Sequence, residues 1–247
     1  MSQIEISEQQ QNAIPGLADV PQAFVAPRRL FARVEDTGSY AWPLVALLSL
    51  VTLLGYLQVQ TGLIDRVVDQ NTQEQMAMLE SSRTDLVDRV AMRDQMDAIN
   101  KNGAFFKLMQ RLRVIVATPL MTLASILLIS SILYAAVALS GRKPEYHTLM
   151  TICIYASFIE LAGIAVRLAM MIAYRTTHVS TSLEMLLPKG KAPYLAAIDP
   201  FVIWFWLLVF LGVITTQQLS RKMAITACLL MFIFGAGVRV GIAYIPG

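Results

Sequence analysis

The stretch 148–174, TLMTICIYASFIELAGIAVRLAMMIAY, decides the fold. It carries only two charged side chains, Glu160 and Arg167. As an α-helix it spans about 40 Å, more than the roughly 30 Å apolar thickness of a bilayer. Its apolar residues go all the way round rather than forming one stripe, the pattern of a helix buried in protein or lipid. Four further blocks read the same way, at 42–60, 114–139, 201–217 and 223–245. The expected fold is therefore an all-α, polytopic membrane protein, a bundle of five transmembrane helices occupying 42–245.

Composition agrees with this reading. Of 247 residues, 56% are hydrophobic and 15% charged, and the charges sit between the apolar blocks; soluble domains carry nearer a quarter charged. A formal charge of +3, with scattered basic residues, gives no nucleic-acid footprint. Both cysteines, Cys153 and Cys228, fall inside apolar blocks, so they read as buried thiols rather than a disulfide framework or a zinc site. The polar, acidic start (Glu5, Glu8) predicts no cleavable leader, with the first apolar block acting as a retained membrane address.

Around the blocks the text varies. Residues 1–20 contain four glutamines and no apolar period, which predicts a disordered tail. From 21 to 36, Phe24, Val25, Leu30, Phe31 and Val34 alternate with Arg28, Arg29 and Arg33. That pattern predicts an amphipathic segment at the headgroup level, with its arginines making interfacial lipid contacts, the alternative being a plain loop. Residues 61–113 form a polar insert with eight basic and eight acidic residues. Met76, Leu79, Leu86, Val87, Val90 and Ile99 recur near helical spacing after a capping-box pattern at Thr72–Gln75, so the insert is expected to be helical. Asn102-Gly103 reads as a C-cap, and Phe105–Leu112 as a short helix before span two. Ser220-Arg221-Lys222 is so short that spans four and five must form an antiparallel hairpin.

Basic residues near the span ends set the expected orientation. Arg28, Arg29 and Arg33, then Arg142 and Lys143, then Arg221 and Lys222 fall on one side, which is placed in the cytoplasm. The N-terminus is then cytoplasmic, and the insert and C-terminus extracytoplasmic.

A few residues stand out. Glu160 lies in the middle of span three, where a carboxylate is costly unless paired or protonated. Arg167 is two turns on along the same face, and Arg239 interrupts span five, so Glu160 is expected to pair with one of them. Such a cluster reads either as a helix fastener or as part of an ion relay. Gly235, Gly237 and Gly241 form a small-residue face suited to close packing, within the bundle or against a partner. His147 and His178 are single and border spans. No metalloprotease, hydrolase, Walker or dinucleotide motif is present, so no catalytic residue, cofactor or metal is expected.

Several stretches resemble the Yip family of polytopic membrane proteins. They are Pro27-Arg28-Arg29-Leu30-Phe31-Ala32-Arg33; Gly141-Arg142-Lys143 leading to Thr151-Ile152-Cys153-Ile154-Tyr155-Ala156-Ser157; and Ala197-Ile198-Asp199-Pro200-Phe201-Val202-Ile203-Trp204, followed by Gly212 and Leu219-Ser220-Arg221-Lys222-Met223-Ala224. Each motif is weak alone; their order and spacing across most of the chain carry the likeness. The resemblance implies five spans, a cytoplasmic N-terminus and no enzymatic activity. It links eukaryotic members to vesicle traffic and membrane shaping, and bacterial members to ABC-type exporters of the MacB kind. The plain short chain suggests a bacterial member, in an inner membrane.

Three functions follow as expectations. The first is an accessory or assembly subunit that binds membrane partner proteins, an ABC transporter permease or a second copy of itself among them. The second is an independent small-solute or ion transporter or channel using Glu160, Arg167 and Arg239. The third is a trafficking or membrane-shaping scaffold.

Overall fold

The structure is a computed structural model that describes residues 15–34, 40–81, 103–174, 179, 181–183, 195 and 198–244. Among these, every regular element is helical. A single 3-10 turn, Leu17–Asp19, leads into α1 (Val20–Val25) and α2 (Pro27–Phe31). The long helices follow: α3 (Ala41–Gln60), α4 (Leu63–Ser81), α5 (Gly103–Leu139), α6 (Tyr146–Tyr174), α7 (Pro200–Gln217) and α8 (Arg221–Tyr244).

Four of them, α3, α5, α6 and α7, are long and apolar enough to cross a membrane. The fifth expected span is helical too, within Arg221–Tyr244, with its side chains from 238 on outside the described residues. The helix α6 is the axis of the bundle. Seventy-two per cent of its most apolar 18-residue window is buried, against 22% for α3 and α5, which present most of their surface outward. It packs on α3, α5 and α7, while α8 packs chiefly on α7.

Glycines set the closest approaches. A Cβ added at Gly212 on α7 would stand 2.5 Å from the Ile152 side chain of α6, and one at Gly163 on α6 would stand 2.8 Å from the Phe201 ring of α7. The two contacts, eleven residues apart on each helix, set that pair antiparallel. On the other side of the bundle, a Cβ at Gly55 of α3 would meet the Val114 carbonyl oxygen at 2.7 Å. Val114 lies in a π-turn, Arg113–Ala117, inside α5. The wider turn displaces backbone carbonyls from regular helical pairing; Thr118 Oγ1 donates to the Arg113 carbonyl oxygen (3.2 Å).

The polar insert departs from expectation in its details. Helix α4 starts nine residues before the capping-box pattern, and Thr72 instead donates back to the Val68 carbonyl (2.8 Å). Gly62, at φ +67°, makes the turn between α3 and α4. Gly103 does not end a helix; it begins α5, so the short helix expected at Phe105–Leu112 is continuous with span two. Asp65 bonds Arg111 (2.6 Å) and Asp69 bonds Lys107 (2.7 Å). Moving four residues up α4 moves four residues down α5, so the two helices run antiparallel as a charged pair beyond the apolar spans. The rest of the insert, 82–102, lies outside the described residues.

Asp199 shows what the acidic–proline–aromatic entry to α7 does. Its Oδ1 accepts from the Phe201 amide (2.8 Å) as N-cap, its Oδ2 accepts from the Thr181 hydroxyl (2.6 Å), and Pro200 fills the first helical position. At the other end, Gln218 adopts a left-handed conformation (φ 49°) and stops α7.

Candidate functional site

The N-terminal segment is the part of the structure least foreseen. Residues 15–20, expected inside a disordered tail, are folded, and Pro15 is buried. The segment 15–34 turns part of its apolar side onto the bundle and leaves Phe24 and Val25 exposed. Ala23, Leu30 and Phe31 are fully buried against the bundle, with α1 on α6 and α2 on α7. Ala26, at φ −141° and ψ 59°, breaks the helix, and Pro27 restarts it, so the chain folds back on itself. Lipid is as apolar as leucine, so this docking rests on packing and hydrogen bonds.

A polar clasp supplies the bonds. Arg33 donates to Asp19 Oδ1 and to Gln22 Oε1, both at 2.7 Å. The Gly16 amide donates to Asp19 Oδ2 (2.9 Å), and the Tyr155 hydroxyl of α6 donates to the Gly16 carbonyl oxygen (2.9 Å). Partial burial pushes the Asp19 carboxyl up, but the Gly16 amide and the Arg33 guanidinium outweigh it and hold the carboxyl below its ordinary value. Arg33 is therefore engaged within the segment by its own carboxylate partner. Arg28 and Arg29 remain exposed, and neither has an ion-pair partner among the described residues.

Beside the clasp lies an apolar cavity of about 350 Å³, lined by Phe24, Ile159, Pro200, Phe201 and Trp204 and open to one side. Phe24 and Trp204 are each about two-fifths exposed at its mouth.

Of the intramembrane cluster read from sequence, the described residues show Glu160 and Arg167. Glu160 is partly buried and engaged. Arg167 turns back on its own helix, with Nε 3.4 Å from the Gly163 carbonyl oxygen, rather than reaching Glu160. The Arg239 side chain lies outside the described residues. His147 stacks against Tyr40, ring centroids 5.4 Å apart, at one end of the bundle; His178 lies outside the described residues. Among the described residues no group of His, Cys, Asp and Glu is arranged to hold a metal.

The glycine face behaves differently from the packing glycines. A Cβ at Gly235 or Gly237 would have nothing within 4 Å. Gly241 is helical, but its surroundings lie outside the described residues. The glycines that bring helices together here are Gly55, Gly163 and Gly212, which lack the close small-xxx-small spacing of the α8 set. Only a partner on another helix reveals them.

A family model for the Yip1 domain matches residues 22–240, from within α1 to within α8. The chain belongs to the Yip1-domain family. The docked N-terminal segment, from Gln22 onward, is thus part of the Yip1 domain and not an appendage to it. No curated protein and no solved structure matches the chain.

Proposed function

We propose that this Yip1-domain protein is a non-enzymatic accessory or assembly subunit that binds a membrane partner protein through the outer face of α8. The observation that supports it is the open space at Gly235 and Gly237, beside the exposed Leu230, Ile233 and Phe234. Glycines in a helix interior cost about 1 kcal/mol each relative to alanine. A helix that carries them without using them inside its own bundle is suited to close approach by another helix. In this reading α8 is the fifth span, the N-terminus is cytoplasmic, and the charged pair of α4 and α5 projects on the opposite side, where it can contact extracytoplasmic parts of the same partner. The partner class we favour is the permease of an ABC-type exporter in a bacterial inner membrane, following the family resemblance.

The test is purification in mild detergent of the full chain and of a Gly235→Leu/Gly237→Leu variant. Stoichiometric co-purification of an ATPase-coupled permease, lost in the variant while the monomer stays monodisperse, is the expected result. Recovery of the chain alone, together with solute or ion flux in liposomes, would overturn it in favour of a transporter.

A further inference from the structure

We infer that the N-terminal segment and α7 form a binding site for one anionic phospholipid, with the phosphate on Arg28 and Arg29 and one acyl chain in the cavity lined by Phe24 and Trp204. The inference stands independently of the partner on α8.

Three observations converge on it. The first is the cavity, at about 350 Å³ inside the roughly 300–1,000 Å³ range of ligand sites. All five lining residues are apolar, and none offers a charged group to orient a polar ligand. That shape and chemistry suit a hydrocarbon chain entering from the bilayer.

The second is proximity. Phe24 lines the cavity together with Ile159 of α6 and with Pro200, Phe201 and Trp204 of α7. Arg28 and Arg29 follow Phe24 by four and five residues, on α2, which packs on α7. Arg33, on the same segment, is tied through Asp19 and Gly16 to Tyr155 of α6. Two guanidinium groups are thus carried on the segment that supplies one wall of the slot.

The third is charge. Arg33 is neutralised by Asp19, whereas Arg28 and Arg29 are exposed without a carboxylate partner among the described residues. An exposed arginine at a bilayer surface gains from an anionic headgroup. A phosphate offers the bidentate geometry that arginine matches best. Two unpaired positive charges on the segment that walls an apolar slot favour a headgroup of net negative charge.

Trp204 reports on the cavity directly. The full-length protein carrying Trp42→Phe and Trp206→Phe keeps Trp204 as its single tryptophan. It is reconstituted into phosphatidylcholine vesicles containing a small fraction of lipid brominated on the acyl chain. Brominated phosphatidylglycerol is expected to quench Trp204 with an apparent affinity on the order of tenfold above brominated phosphatidylcholine. Arg28→Gln/Arg29→Gln, both at exposed positions, is expected to abolish that preference while leaving the size-exclusion profile unchanged. Equal quenching by the two lipids, tracking their bulk fraction, would overturn the site, as would a preference that survives in the double glutamine variant. A Phe24→Ala variant, which removes one wall of the slot, should weaken quenching by phosphatidylglycerol. Unchanged quenching there would place the acyl chain elsewhere and overturn the cavity assignment.

Discussion

Tyr155, in the first half of α6, donates its hydroxyl to the carbonyl oxygen of Gly16, 139 residues earlier in the chain, at 2.9 Å. The bond ties the most buried helix of the bundle to a segment that composition alone marks as tail. Tyr155 is itself fully buried and its ring lies 6.4 Å from that of Phe158, so the hydroxyl is presented from a fixed ring. Removing it tests the docking without disturbing the core. Tyr155→Phe is expected to cost about 1 kcal/mol of docking free energy, which is roughly a fivefold loss of amide-exchange protection over residues 16–22. Hydrogen exchange read by mass spectrometry checks this, with protection in α6 as the internal control.

Acid should release the same segment. The Asp19 carboxyl is held below its ordinary value of 3.8, so its charged form is favoured by docking. Its contribution is therefore present above that value and is lost as the pH falls through it. Protease access to residues 15–34 is expected to rise as pH falls below about 4. Asp19→Asn should leave the segment loosened at neutral pH and remove the acid step. An acid step of the same size in Asp19→Asn would show that another group is responsible.

Three glycines should be intolerant of even a methyl group, and two others indifferent. Gly55→Ala would drive a Cβ into the Val114 carbonyl oxygen, a backbone atom with little room to yield. The expected cost is about 1–3 kcal/mol. Gly235→Ala meets nothing within 4 Å and is expected to stabilise the isolated protein by up to about 1 kcal/mol through helix propensity. Thermal unfolding in detergent distinguishes the two. The opposite order would sink the assignment of packing and open glycines.

Loss of the α7 cap should be measurable on its own. Asp199→Ala removes the acceptor for the Phe201 amide and for the Thr181 hydroxyl together. A loss of about 1–2 kcal/mol is expected, at the upper end for an N-cap. Asp199→Asn retains an acceptor and should restore most of it in the same thermal assay.

The charged pair of α4 and α5 should be worth little in stability but informative about register. Both ion pairs are partly exposed on both sides, so either is expected to contribute about 0.2–1 kcal/mol. Cysteines at Asp65 and Arg111 should cross-link rapidly with a short bifunctional reagent, whereas Asp65 with Lys107 should not.

Several of these residues could be found in the sequence and several could not, and the difference is physical. Asp199 stands in the sequence reading only inside the stretch that carries the family resemblance, although a cap acts on the next two residues and leaves an Asp-Pro-aromatic signature that marks it. Thr72–Gln75 matches a capping box and yet sits in mid-helix, because a local pattern cannot report that the helix has already begun. Arg33 was grouped with Arg28 and Arg29 because all three alternate with apolar residues. Only the return of Asp19 and Gln22 beside it separates a clasp from two free cations.

By itself, the sequence determined that the chain is a multi-helix membrane protein and where its apolar helices begin and end, to within a few residues for all but the second. The reason is that lipid imposes a one-dimensional rule. A crossing segment must be long, apolar and able to satisfy its own backbone hydrogen bonds, and each of these is written locally along the chain. The tertiary structure alone decided which face of each helix meets another. It placed Ala23, Leu30 and Phe31 in the core, it paired Gly55 with a π-turn at Val114, and it left Gly235 and Gly237 open. Those contacts join residues far apart in the chain. Inside lipid the two sides of an apolar helix are nearly equivalent in hydrophobicity, so no period marks the inward one. Shape and a handful of hydrogen bonds choose it, and they exist only once the helices have met.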